Sequence, residues 1–271
     1  RLFPVVLAPH LPRAPLDAVV SVQVVEVLMS DFRVSLFFPV YRDEKTVRNV
    51  AEKALKLLPS LCSDYEIIII DDGSPDRSGE IADELARQHG SIRVLHHPKN
   101  LGYGAAVRSG LAASRFEYIC LTDGDDEYEV EDFRKLLKLR ERYDLIITFR
   151  YKKIYSNTRM FISWIYNRLL RVLFRTPFRD VSTGLRMVRK SVIEDMELES
   201  TSPFIGAEIA IKAMFKGYAV GEVGIQTFPR AFGRGATVSV PNIRATISDM
   251  FRVYRTMFSD SYELPKNRKR S

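Results

Sequence analysis

Two carboxylates one residue apart, Asp123 and Asp125, flank a single glycine in the stretch Leu121-Thr122-Asp123-Gly124-Asp125-Asp126-Glu127. The apolar run before it, Tyr118-Ile119-Cys120-Leu121, reads as the end of a buried strand. The acids therefore sit just past a strand's carboxyl end, where open α/β sheets place their ligands. A turn at Gly124 lets both carboxylates converge on one hard cation. Mg²⁺ or Mn²⁺ suits such oxygen donors, and Mg²⁺ is usually held by one or two carboxylates plus substrate phosphates. The chemistry expected here is a metal gripping the diphosphate of a nucleotide-sugar. The plainer alternative is an acidic turn that opens the next helix, because Asp and Glu favour a helix's first turn.

The surrounding chain must position this turn. Arg33 to Phe38 reads as a strand ended by Pro39, and Glu44 to Leu58 carries helical spacing through Val47, Val50, Ala51, Ala54, Leu55 and Leu58. Tyr65 to Ile70 holds a β-branched run typical of a strand buried on both faces. The pattern then predicts helices over 78–89, 104–114 and 130–142, and strands over 92–95, 117–121 and 144–149. Such alternation implies a doubly wound, mostly parallel sheet flanked by helices. Neither G-x-G-x-x-G after the first strand nor a P-loop occurs, which argues against a nicotinamide enzyme and a P-loop NTPase. Three motifs fall at successive strand ends: Pro39-Val40-Tyr41-Arg42-Asp43-Glu44, Asp71-Asp72-Gly73-Ser74, and the Asp123-Gly124-Asp125 turn. A ribose and base need acceptors and an aromatic face, which Tyr41, Asp43, Asp71 and Asp72 supply.

The 271 residues suffice for one large α/β domain, with 46% hydrophobic and 28% charged residues. A formal charge of +7 and a pI near 9.3 favour an anionic partner. Cys62 and Cys120 lie in or beside apolar runs without metal-ligand or redox spacing, and read as buried free thiols in a reducing compartment. Scarce Gln with abundant Glu, Lys and Arg leans toward a thermophile. Residues 1–30 read as an N-terminal extension, 31–240 as the main domain, and 241–271 as an amphipathic helix with a polybasic tail. No apolar stretch reaches the roughly 18 uncharged residues a membrane span needs.

Taken in order, the motifs resemble those of family 2 glycosyltransferases of GT-A fold, in the branch of dolichol-phosphate mannose synthases. The matching pieces are P-x-Y at Pro39 to Tyr41, E-I-I-I-I-D-D-G-S at Glu66 to Ser74, N-x-G-x-G-A at Asn100 to Ala105, and D-x-D at Asp123 to Asp125. F-R-Y at Phe149 to Tyr151, D-x-S-T-G-L-R at Asp180 to Arg186, and P-R-x-x-G-R-G at Pro229 to Gly235 complete the set. The resemblance implies that Pro39, Tyr41 and Asp43 border the nucleotide and that Asp72, with Asp71, contacts base or ribose. Asp123 and Asp125, with Gly124 between them, would hold the metal on the diphosphate, Glu127 would join the metal's shell, and Arg230 would reach the leaving group. Asp125 and Arg230 are thus the expected catalytic residues. Arg42 replaces the usual Asn after the Tyr, and Asp43 is shorter than the usual Glu.

The resemblance further implies a lipid-phosphate site formed by Arg150, Arg159 and Ser163, since arginine's planar fork suits phosphate. The expected reaction is inverting sugar transfer from a nucleotide donor, GDP-mannose first and UDP-glucose second, to dolichyl or polyprenyl phosphate. Helices near 157–174 and 243–258 interleave arginines with apolar residues and fit a membrane interface. The expectation is a peripheral protein on the cytoplasmic face. A second reading is a hydroxyl acceptor on a glycan with Glu208 as base. A third, a nucleic-acid-binding module, rests on charge alone; the basic residues follow amphipathic helices rather than an aromatic-studded sheet, so no nucleic-acid partner is expected.

Overall fold

The computed structural model describes residues 32–152, 157–181, 183–226 and 239–258, without the side chains of residues 152 and 157–159. Arg159, Arg230, the N-terminal extension and the polybasic tail thus lie outside the described side chains. Among the described residues seven strands form one sheet: β1 (Arg33–Val40), β2 (Asp64–Asp71), β3 (Ile92–His96), β4 (Tyr118–Leu121), β5 (Leu145–Lys152), β6 (Arg186–Arg189) and β7 (Val220–Gln226). Their order is β3-β2-β1-β4-β6-β5-β7. All pairings are parallel except those of β6, which runs antiparallel between β4 and β5. The helices are α1 (Val47–Leu57), α2 (Ser78–Gln88), α3 (Tyr103–Ala113), α4 (Phe133–Leu137), α5 (Asn157–Phe174), α6 (Lys190–Glu194), α7 (Ile205–Phe215) and α8 (Val240–Phe258).

The isoleucine run shows why the sheet is covered on both faces. Successive strand side chains point to opposite sides. Ile67 and Ile69 enter a core with Val50, Ala54 and Leu85 of α1 and α2. Ile68 and Ile70 enter a second core with Val107 of α3, Ile209 of α7 and Val253 of α8. Each of the four is at most 1% exposed, and each such burial stabilises by about 1.5–3 kcal/mol. Burial drives the Cys62 thiol up to about 12 and holds Cys120 higher still, in keeping with two buried free thiols.

Two local expectations are corrected, and two strands are added. β1 does not stop before Pro39 but runs through it to Val40. Phe37 is the last β1 residue paired with β4. The Phe37 carbonyl faces Thr122 and the Val40 carbonyl faces Asp72, so the imide nitrogen of Pro39 points beyond the end of β4. The missing N–H therefore costs no ladder bond. The helix expected over 130–142 shrinks to a 3₁₀ turn at Val130–Asp132 and the short α4. There Arg140 lays its guanidinium 4.3 Å from the Phe32 ring centre and donates to the Leu137 carbonyl, which ends the helix. In the second half, β6 and β7 carry no strong alternation and had no counterpart in the sequence reading. β6 positions the site. Because it is antiparallel to β4, with Arg186 opposite Leu121, its start meets the carboxyl end of β4.

Candidate active site

The carboxyl ends of β1, β2, β4 and β5 and the start of β6 share one sheet edge, and the acidic motifs gather there. The Asp123-Gly124-Asp125 turn leans on the loop after β1. A methyl group on Gly124 would lie 2.7 Å from the Pro39 carbonyl oxygen, and Thr46 donates its hydroxyl to the Gly124 carbonyl at 2.7 Å. Asp43 accepts from the Tyr41 N–H at 3.0 Å, closing the same loop. Pro39, Tyr41, Asp43, Gly124 and the two aspartates are thus brought together as expected. Asp126 turns away. It has φ +59°, a left-handed conformation that Asp tolerates, and binds Asn49 and Lys53 of α1.

Asp123 is half-buried and Asp125 buried. Oδ1 of Asp123 accepts a hydrogen bond from Tyr103 at 2.8 Å. Tyr103 opens α3. Burial, then the Asp123 carboxylate, holds its phenol well above the ordinary value, so it remains a donor. The Asp123 carboxylate rests on Gly184, whose N–H donates to the buried Tyr128 hydroxyl at 3.0 Å. Burial and Asp123 likewise raise Tyr128. Oδ1 of Asp125 accepts from the Glu127 N–H at 3.1 Å. Among the described residues no three His, Cys, Asp or Glu side chains form a metal cage, and the buried Glu127 meets Asp125 through its own N–H. The donor set still fits a divalent ion of the Mg²⁺ type, which takes one or two carboxylates and keeps water and substrate phosphate oxygens. Gly184 leaves the Asp123 carboxylate the room that any larger residue would fill.

The neighbouring motifs are also anchored by their acids. Asp72 is 3% exposed and accepts from the N–H groups of Leu101 (2.9 Å) and Gly102 (3.0 Å) while pairing with Nδ1 of His97 at 2.7 Å. Asp71 accepts from the Ser74 N–H and pairs with Nδ1 of His96 at 2.9 Å. His96 also meets Asp83 at 3.0 Å. Its pKa is raised, first by the Asp71 hydrogen bond and then by Asp83, against a lesser cost of burial. Gly73 closes the turn with φ +65°, and a methyl there would lie 2.7 Å from the Asn100 nitrogen. Arg42 adopts φ +62°, in the left-handed region that asparagine enters more readily, and lays its guanidinium 5.3 Å from the Tyr41 ring centre.

On the β5 side, the Arg150 side chain is 7% exposed and binds Asp180 through Nε (3.0 Å) and Nη2 (2.8 Å). This joins the F-R-Y and D-x-S-T-G segments. Ser163 lies on α5, where its carbonyl accepts from Asn167. Glu208 is fully buried, and its carboxylate accepts from the Glu199 and Ser200 N–H groups and from Lys212 at 2.7 Å. Burial opposes the Lys212 charge, but Glu208 and Glu199 outweigh it and raise its pKa. Sequence reasoning singled out none of Tyr103, Tyr128, Asp180 or Gly184. Tyr103 stands inside N-x-G-x-G-A, and Asp180 and Gly184 inside D-x-S-T-G-L-R, so the motifs held the signal while the individual roles needed the fold.

This edge, with a D-x-D turn packed against the Pro39–Asp43 loop on a mostly parallel sheet, has the arrangement of a glycosyltransferase of GT-A fold. Residues 35–197 match the model of glycosyl transferase family 2, and the chain belongs to that family. It is 30% identical over 175 residues to an undecaprenyl-phosphate 4-deoxy-4-formamido-L-arabinose transferase of Edwardsiella ictaluri, covering 62% of this chain and 54% of that one. It is 33% identical over 114 residues to the dolichyl-phosphate beta-glucosyltransferase ALG5C of Trichomonas vaginalis, covering 40% and 34%. It is also 39% identical over 114 residues to the uncharacterised glycosyltransferase EpsJ of Bacillus subtilis, covering 42% and 32%. The matches thus span from 32% to 54% of these relatives' lengths. Among solved structures, glucosyl-3-phosphoglycerate synthase of Mycobacterium tuberculosis, in complex with Mn²⁺, UDP-glucose and phosphoglyceric acid, superposes with a TM-score of 0.68 at 15% identity, over 90% of this chain and 85% of that one. That likeness establishes the shared fold.

Proposed function

We propose that this protein transfers a sugar from a nucleotide diphosphate donor to a polyprenyl or dolichyl phosphate, with inversion and with a divalent ion. The observation that carries the reading is the Asp123 carboxylate, oriented by Tyr103 and seated on Gly184 at the edge where donor loops converge. The ion, held by Asp123 and Asp125, would neutralise charge on the departing diphosphate. Tyr41, Asp43 and Pro39 would border the base and ribose. Asp71 and Asp72 would serve the nucleotide by fixing its loops. Arg150, Arg159 and Ser163 would face the acceptor phosphate, and Arg230 the leaving group.

A phosphate acceptor is already anionic near neutral pH and needs no general base, so positioning and charge stabilisation suffice. The commitment of Glu208 to Lys212 and two backbone N–H groups supports this over a hydroxyl acceptor. The named activities of the Trichomonas relative and of the mycobacterial neighbour favour glucose, carried on UDP, over the GDP-mannose first expected.

The amphipathic helices support a lipid-bound acceptor. Phe161, Trp164 and Val172 of α5 are 60%, 62% and 64% exposed, beside the exposed Arg168, Arg171 and Arg175. Phe251 and Phe258 of α8 are exposed beside Arg252 and Arg255. α5 and α8 meet through Phe174, Tyr254 and Phe258. Among the described residues no helix is long and apolar enough to cross a membrane. The exposed aromatic and arginine residues support attachment at the surface of an anionic leaflet, on its cytoplasmic side, where each Lys or Arg near the surface contributes about 1 kcal/mol. Incubation with Mn²⁺, polyprenyl phosphate and radiolabelled UDP-glucose or GDP-mannose tests the proposal. Lipid-extractable label from one donor is the expected result; label released only to water or joined to glycan hydroxyls would overturn it.

A further inference from the structure

The start of α3 is clamped from two sides. Asp72 holds the N–H groups of Leu101 and Gly102 from the end of β2. From the other side, the Thr201 carbonyl accepts the Gly104 N–H at 2.9 Å. A methyl on Gly104 would lie 2.5 Å from the Thr201 carbonyl carbon, and one on Gly102 3.0 Å from its oxygen. Tyr103 stands between these two glycines and holds Asp123. The Thr201–Ser202 backbone is itself held by α8, because Oδ2 of Asp249 accepts the N–H of Thr201 (3.1 Å) and of Ser202 (3.0 Å). Asp249 is 3% exposed, and its Oδ1 pairs with Arg252 at 3.0 Å. On the outer face of the same helix, Ile247 and Phe251 are exposed.

We propose that Asp249 is a positioning residue for Asp123, acting through Thr201–Ser202, Gly104 and Tyr103. It thereby couples the surface helix α8 to the metal carboxylate. The inference rests on the reading that Asp123 holds a divalent ion. Hydrogen bonds to a charged acceptor are about twice as strong as neutral ones. Close packing transmits a displacement rather than absorbing it, and the glycine contacts leave no slack between Thr201 and Tyr103. Loss of the Asp249 carboxylate would free the 201–202 segment, shift the α3 start and draw the Tyr103 hydroxyl away from Asp123.

The test is calorimetric titration of Mn²⁺ into the full chain with UDP, and separately with GDP, alongside thermal melting. Asp249→Ala and Tyr103→Phe should each weaken Mn²⁺ binding about tenfold, as removal of partners behind a metal ligand does. The double variant should bind no more weakly than the weaker single one, because both act on one path. Asp249→Asn should restore most but not all of the binding, since one amide oxygen can accept both N–H groups but without the carboxylate's charge. Should Asp249→Ala not fold, Asp249→Ser, too short to span both donors, should show the same loss. Unchanged Mn²⁺ binding in a folded Asp249 variant, or losses that multiply in the double variant, would overturn the coupling. A wild-type chain that binds no Mn²⁺ with either nucleotide would instead overturn the functional reading.

Discussion

Gly184 forms the floor under the Asp123 carboxylate: a methyl group on its α-carbon would overlap the carboxylate itself. The glycine lies two residues before β6, and the aspartate follows β4. The antiparallel pairing of those strands brings two motifs some sixty residues apart into contact.

Gly184→Ala should therefore act as an active-site mutation. Displacing a catalytic group by about 1 Å can cost about 10²-fold in rate. The expected outcome is a fall of that order in kcat/KM with a melting temperature close to wild type. A large loss of melting temperature with normal turnover in the folded fraction would show that the contact serves only packing.

Glu208→Gln separates the two acceptor chemistries. Removing one partner of a buried ion pair costs about 3–5 kcal/mol, and the lower end applies because Glu199 still faces Lys212. The melting temperature should fall while turnover at low temperature persists. Loss of a general base would instead cut turnover by about 10²–10⁴-fold.

His96 gives the fold a pH signature. Its pKa is raised above the ordinary 6.5, chiefly by Asp71 and then by Asp83. The protonated ring is thus favoured by folding. Its contribution is fully present below pH 6.5 and is lost as pH rises through the higher folded value. Urea midpoints should decline across that window in the wild type and decline less in His96→Gln. Equal slopes in both would contradict the pairing.

Much of this architecture was legible in the sequence because the first half is locally consistent. The isoleucine run has the β-branched character typical of a strand buried on both faces, and the α1 face of Val47, Val50, Ala51 and Ala54 is the buried one. The acidic turns fell at strand ends because hydrophobic runs stopped there. What could not be read depends on long-range pairing. β6 is four residues long, and its place between β4 and β5 follows from topology rather than periodicity. The partners of Asp123 follow from that insertion, since Tyr128 acts through Gly184, and from the 201–202 segment that pins Tyr103. The sequence marked Arg150 as a phosphate ligand from its motif, and the fold adds its buried pairing with Asp180, a partner thirty residues away. Pro39 misled because its missing N–H matters only where a neighbouring strand is present to receive it.

The paired aspartates and their ion are the centre of the account, and equilibrium Mn²⁺ binding to wild type and to Asp125→Asn, with and without UDP or GDP, tests them most directly. The account predicts binding by the wild type that tightens when the nucleotide is present, and loss of that tightening in Asp125→Asn with the fold intact. Equal Mn²⁺ binding by both proteins, indifferent to nucleotide, would contradict it.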